Sequence, residues 1–449
     1  MKRYESYKRT KAEWMGSIPS HWNSMPLLPL LRGKITDGPH ETPTLVDKGI
    51  PFISVDSLND SENIDFSVVK KFISEEDYQV YSKKTNLETG DILFSKSATI
   101  GKTAIVGNER YMVWSPIAII KPGKTLYNKF LYYVLSEKRY IEHVRLLGSF
   151  NTQANVGMRE IERSIIPCPP ILEQETIAAF LDYKVGQIDK SISEIDSQIE
   201  SLKAYRQSVI SEAVTKGLDK NAKMKDSGIE WIGEIPEGWS IVPLKHYLSL
   251  KGRIGWNGLK SEEFKEYAYA YLVTGQDFNS AIVNWSKCYQ IDKERYDEDP
   301  FIQLKNGDIL VTKDGTIGKI AKVSNLDKPA CLNSGIFVVK QKKEIFVQDY
   351  LYWVFVSNQL KEFVQYNSTG STIQHLYQNV FENMPLTLPS IEEQDAIASY
   401  LNEKTSRIDE VINALDAQRT DLNTLKQAII SEAVTGKIDV RDWTPSVEQ

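Results

Sequence analysis

Gly101, Lys102 and Thr103 are the residues whose types and spacing come closest to known chemistry. Gly-Lys-Thr closes the GxxxxGK[ST] loop, in which backbone amides cradle phosphates and the lysine neutralises them. That pattern needs its first glycine five residues before Gly101, where the chain has Lys96. A related run ends Gly318-Lys319-Ile320 and lacks the hydroxyl, so no nucleotide loop is expected. Cys168, Cys288 and Cys331 are scattered, and the five histidines form no HExxH, so neither a metal centre nor a redox pair is expected. GxSxG is absent, as is the Asn/Asp-Pro-Pro-aromatic signature of amino-methylating enzymes. Carboxylates are plentiful, but among 60 acids they mostly read as solvated faces. The expectation is a chain that binds rather than one that makes or breaks bonds.

The bulk composition suits a soluble globular protein of two or three domains: 449 residues, 41% hydrophobic and 25% charged. No apolar run approaches the ~18 residues of a membrane span, and the basic "MKRYESYKRTKAEW" start lacks the apolar core of a secretory leader. A reducing, cytoplasmic location is expected. The net charge of −6 is unevenly placed. Residues 173–217 carry −3 and residues 391–437 carry −4, leaving the remainder at +1 and able to face phosphate.

What positions the candidate chemistry is a duplicated frame. "EWMGSIPSHW" (13–22) returns as "EWIGEIPEGW" (230–239), a shift of 217. "GDILFSKSATIGK" (90–102) returns as "GDILVTKDGTIGK" (307–319) at the same shift, with nine of thirteen positions identical. "EQETIAAFL" (173–181) matches "EQDAIASYL" (393–401), and "SEAVT" (211–215) recurs at 431–435, now shifted by 220. Residues 32–60 and 251–280 share little. The frame is repeated and the inserts have diverged, as in duplicated domains rather than solenoid units.

The apolar runs "YMVWSPIAIIKP" and "PACLNSGIFVVKQ" predict strands, and "GDILFSKSATIG" with "KTAIV" predicts two strands around a turn. "NKFLYYVLSEKRYIEHV" and "QDYLYWVFVSNQLKEFV" predict helix. The two acidic segments are expected to be helices of roughly 45 residues, or about 65 Å, each entered past a proline. Ile188, Ile192, Ile195, Ile199, Leu202 and Val209 define a heptad seam on the first, and Ile408, Ile412, Leu415, Leu422 and Ile429 one on the second. Parallel pairing in register would set Arg206 against Lys426. Antiparallel pairing parts these cations, which are then expected to snorkel into water. The expected fold class is α+β: two globular domains separated by two long antiparallel helices in a coiled coil, with an internal pseudo-twofold repeat. The expected boundaries are 1–170, first domain; 171–217, first helix; 218–389, linker and second domain; 390–437, second helix; 438–449, tail.

The two "EW.G.IP..W" phrases, the two "GDIL..K..TIGK" phrases, the two "EQ..IA..L" helix starts and the two "SEAVT" helix ends, in this order, resemble the specificity subunits of type I restriction–modification systems over essentially the full length. "DGPHETP" (37–43) and "GRIGWNGL" (252–259) are similar to phrases from that family's target recognition domains. The resemblance implies a non-catalytic reader of double-stranded DNA, each domain taking one half of a bipartite, asymmetric site. It also implies two methylation subunits docked on the helices, restriction subunits in the full complex, and S-adenosylmethionine, ATP and magnesium held by those partners. The competing reading is a coiled-coil scaffold without sequence-selective DNA binding.

Under that resemblance, Lys and Arg on phosphate would supply affinity, and base-edge contacts would supply specificity. In the first domain the candidates are Lys34, Thr36, Asp37, His40 and Thr42 in a Gly/Pro-rich loop, with Lys96, Ser97 and Thr99 in the repeated turn. Asn151, Thr152, Gln153 and Asn155 add an amide-rich stretch suited to adenine. In the second domain they are Arg253, Trp256, Asn257 and Lys260, then Lys313, Asp314 and Thr316, then Ser371, Thr372, Gln374 and His375. Trp14, Trp22, Trp231 and Trp239 are expected to be packing residues.

Overall fold

The structure is a computed structural model that describes residues 2–59, 61–97, 99–148, 155–253, 259–278, 281–367 and 375–444. The chain forms two compact units, residues 1–196 with 416–449, and residues 197–415.

In the first unit a four-stranded sheet runs in the order Thr36–Asp37, Ile117–Ile120, Ile92–Ser95, Thr103–Ile105, all antiparallel. The central strands are apolar throughout because both faces are covered. Ile92 and Phe94 point to one core and Leu93 to another, and Ala118 and Ile120 divide from Ile117 and Ile119 in the same way. A second sheet contains Met112–Val113, Ile50–Ile53, Phe72–Ile73 and Leu45–Val46. The second unit builds the same pair. Its larger sheet runs Leu248–Lys251, Ile336–Gln341, Ile309–Thr312, Ile320–Lys322, and its smaller one Tyr289–Ile291, Ala270–Val273, Ala330–Leu332. Ile309 and Val311 face one core and Leu310 the other.

Each run predicted as helix is helical and forms two helices. Asn128–Leu135 is followed by Lys138–Leu147, and Gln348–Val356 by Asn358–Asn367. The break in the first unit is a new helix start: the Glu137 carboxylate accepts the Tyr140 amide at 2.6 Å, an N-cap.

The long helices span Ile171–Lys216 and Ile391–Val434. Their first turns are locked to the repeated tryptophan phrase. Trp22 Nε1 donates to Glu173 Oε1 at 3.0 Å, and Trp239 Nε1 donates to Glu393 Oε1 at 3.2 Å. The adjacent glutamines act as braces. Gln174 donates to the carbonyls of Pro169 and Thr125 and accepts from the Tyr127 amide. Gln394 does the same with Pro389, Ile345 and Val347. The glutamate of one phrase thus satisfies the buried indole of the other, so the two phrases are one device. Trp14, Trp22 and Trp239 are buried, and Trp231 is half-buried against Phe363 and Tyr366.

Of the seam positions, Ile188, Ile195, Ile199, Val209, Ile408 and Ile429 are buried, and Ile192, Leu202, Ile412, Leu415 and Leu422 are half-buried. Within the first unit Lys426 meets Asp189 at 2.7 Å and Arg419 meets Asp196 at 2.8 Å. Within the second unit Arg206 meets Asp409 at 2.8 Å. Within the first unit residue numbers fall along one helix segment as they rise along the facing one. Arg206 and Lys426 do not snorkel into bulk water, as the sequence suggested. Each finds an aspartate on the facing helix, which satisfies the charge without exposing the seam.

Candidate nucleic-acid interface

The repeated hairpin turn is built by a hydroxyl. Ser95 Oγ donates to the Thr99 carbonyl at 2.6 Å and accepts the Lys102 amide at 2.8 Å. Thr312 Oγ1 repeats both contacts with the Thr316 carbonyl and the Lys319 amide, at 2.5 and 2.9 Å. Gly101 and Gly318 take φ of +100° and +81°, which explains the glycine of "TIGK". Lys102 and Lys319 reach the carbonyls of Val55 and Gly275, so both tie the hairpin to a neighbouring loop. Thr99 and Thr316 are exposed and Ser97 is half-buried.

Three first-unit segments chosen independently from sequence come together. Thr36 and Asp37 form the edge strand beside Ala118 and Ile119. Lys96 Nζ lies 3.2 Å from Asp37 Oδ2, and His40 Nε2 meets the same oxygen at 3.1 Å. The Lys96 carbonyl accepts the Val156 amide, and Ser97 forms a bridge with Asn155. The 34–42 loop, the repeated turn and the end of the amide-rich stretch therefore share one edge. Lys34, Thr36, His40 and Thr42 are exposed there, as is Asn155.

The second unit makes the same juxtaposition from different residues. The Lys313 carbonyl accepts the Leu376 amide, which carries His375 to the turn. His375 Nδ1 lies 2.7 Å from Asp314 Oδ1. Lys313 Nζ sits 5.0 Å above the Phe337 ring. Lys260 is exposed, its amide donating to Glu263. Asn151, Thr152, Gln153, Trp256, Asn257, Ser371, Thr372 and Gln374 lie outside the described residues.

Two cations differ from the sequence reading. Arg253, read from sequence as a DNA-binding candidate in a loop, is 2% exposed, its guanidinium donating to the Leu332 carbonyl and resting on Cys331 Sγ. Lys96 is 9% exposed and committed to Asp37. A charge in sequence does not reveal a partner about eighty or sixty residues away, and burial of a cation requires one. Sequence reasoning also missed that Asp37 and Asp314 are each paired with a histidine. The "DGPH" spacing shows the first pair in retrospect, and the second joins segments 61 residues apart.

Among the described residues no group of His, Cys, Asp and Glu is arranged to hold a metal, and no helix is long and apolar enough to cross a membrane.

Comparison with known proteins places these features. The sequence profile of the type I restriction modification DNA specificity domain matches residues 40–201 and again residues 236–420. The chain is 25% identical over 399 residues to the type I restriction enzyme MjaVIII specificity subunit of Methanocaldococcus jannaschii, covering 87% of each chain. It is 25% identical over 318 residues to the EcoBI specificity subunit of Escherichia coli, covering 70% of this chain and 66% of that one. A solved chain from a study of complex assembly and conformational transition of the type I R-M system shares the fold with a TM-score of 0.68, covering 94% of this chain and 99% of that chain at 15% identity. The twice-matched profile spans most of the sequence, and the chain belongs to the type I restriction–modification DNA specificity family.

Proposed function

We propose that the chain reads a bipartite, asymmetric DNA site, one half with each unit, and that it brings methylation subunits to that site without catalysing a reaction itself. The observation that carries this reading is the repeated edge. The turn at Lys96 gathers Asp37, His40 and Asn155, and the turn at Lys313 gathers Asp314 and His375. The same scaffold sets polar side chains at this edge in each unit from segments that share no phrase, as two readers of unlike half-sites require.

In this reading the long helices form an antiparallel coiled coil that relates the halves by a pseudo-twofold. Support comes from the ion pairs. In the first unit Asp189 meets Lys426 and Asp196 meets Arg419, and in the second Arg206 meets Asp409. The pairs Asp189–Lys426 and Asp409–Arg206 are also each other's counterparts under the 220-residue shift. A ruler of this kind fits a split site with a fixed gap. The negative charge of the helices, repelled by phosphate, leaves them to face the methylation subunits. Restriction subunits would join that complex, and S-adenosylmethionine, ATP and magnesium would belong to the partners.

Sequencing the methylome of cells that express this chain with its methylation subunits tests the reading. A single two-part motif is expected. Replacing residues 23–170 with the insert of a relative should change one half of it. Absence of any methylated motif in an assembled complex would favour a scaffold role.

A further inference from the structure

We infer that Asp37 and Asp314 are the base-reading carboxylates of the two units, each accepting a hydrogen bond from an exocyclic amino group, cytosine N4 or adenine N6, in the major groove. The inference rests on the proposed function and assigns its chemistry.

The two oxygens of Asp37 differ in their partners. Oδ2 is held by Lys96 Nζ at 3.2 Å and by His40 Nε2 at 3.1 Å. Among the described residues no donor meets Oδ1. The side chain keeps 11% of its exposure, whereas His40 keeps 74%, so the pair opens to solvent on the histidine side. Asp314 repeats the logic: His375 Nδ1 holds Oδ1 at 2.7 Å, and no donor among the described residues meets Oδ2.

A bare carboxylate would be repelled by DNA phosphates, and this is the obstacle to any acidic base reader. At Asp37, Lys96 removes that obstacle by cancelling the charge while leaving the acceptor; at Asp314 the facing group is His375. A phosphate-binding lysine would instead project into solvent. The hydrogen bonds on one oxygen also fix the carboxylate's rotation, so the group is held in place before DNA arrives. Carboxylates accept from cytosine N4 and cannot pair with a carbonyl edge, so such a contact discriminates. The two units reach this arrangement by different routes. Asp37 and His40 share one loop, whereas Asp314 follows the repeated lysine and its histidine comes from a distant segment.

The test compares wild type, Asp37→Asn and Asp314→Asn, each co-expressed with the methylation subunits, by methylome sequencing and by gel-filtration assembly. The amide keeps size and an acceptor for the neighbours but places a donor where the amino group needs an acceptor. Each variant should lose about tenfold preference at one position, Asp37→Asn in one half-site and Asp314→Asn in the other. Assembly should match wild type. An unchanged motif in assembled complexes would overturn the assignment, as would uniform weakening at every sequence. A wild-type complex with no bipartite motif would instead sink the functional reading beneath it. If Asp37→Asn fails to assemble because Lys96 is left buried, Asp314→Asn, whose carboxylate holds no lysine, decides alone.

Discussion

The guanidinium of Arg206 clasps the Asp409 carboxylate with two hydrogen bonds, Nε to Oδ1 at 2.8 Å and a terminal nitrogen to Oδ2 at 3.1 Å. The counterpart pair in the other unit, Lys426 with Asp189, has one contact. A fork gives geometry that a point charge does not. Both aspartates are nearly half exposed, which limits the energy. A double-mutant cycle with Arg206→Met and Asp409→Ala, followed by urea unfolding, should show coupling of about 0.5–1 kcal/mol that shrinks with added salt. Coupling that ignores salt would mean the contact is packing.

The seam itself should matter more than its ion pairs. Ile195 is buried, and Ile195→Asp would place an uncompensated charge between the helices, costing about 3 kcal/mol or more. Thermal unfolding should drop and partner subunits should fail to co-purify. An unshifted transition would remove Ile195 from the seam.

Glu173 is buried and accepts from Trp22, from the Tyr4 hydroxyl at 2.6 Å and from His21 at 2.9 Å, whereas Glu393 serves the Trp239 indole. Glu173→Ala leaves two buried donors without an acceptor, at a cost of about 3 kcal/mol, and Glu393→Ala about 1–2 kcal/mol. The order of the two losses in chemical denaturation is the check.

Alanine at the glycine of each "TIGK" turn should separate two effects. Both sites need positive φ, but a Cβ on Gly101 would lie 2.6 Å from Ile141 Cγ2, whereas one on Gly318 has only Leu360, at 4.0 Å. Gly318→Ala should cost about 1 kcal/mol and Gly101→Ala about 2–3 kcal/mol. Equal losses in calorimetry would show that conformation alone decides.

Lys34 is exposed on the candidate edge. Lys34→Ala should weaken DNA binding by the assembled complex about equally for cognate and unrelated duplexes, and flatten the slope of log K against log salt by about one. A loss confined to the cognate sequence would make it a base contact.

The frame was legible because it is written twice. The tryptophan phrase and the Glu-Gln phrase repeat at nearly the same shift, and each supplies what the other buries, so both had to be retained together. The double-faced strands were legible as unbroken apolar runs. Individual contacts on the recognition edge were not. Lys96 and Lys313 occupy one frame position, yet one sits in a buried ion pair and the other over an aromatic ring. Their partners, Asp37 and Phe337, lie in segments with no shared phrase. Arg253 misled for the same reason, since its acceptor at Leu332 is 79 residues away.

The first compact unit takes residues 1–196 from the start of the chain and 416–449 from its end, whereas the second is the unbroken stretch between. On the ribosome, then, the later-encoded unit has all its parts before the earlier one does. The amino-terminal part must wait, with the apolar side of its long helix uncovered, until Ile429, Ala433 and Val434 emerge to complete its core. A premature stop that removes only the last thirty residues would therefore damage the oldest part of the nascent chain and spare the middle.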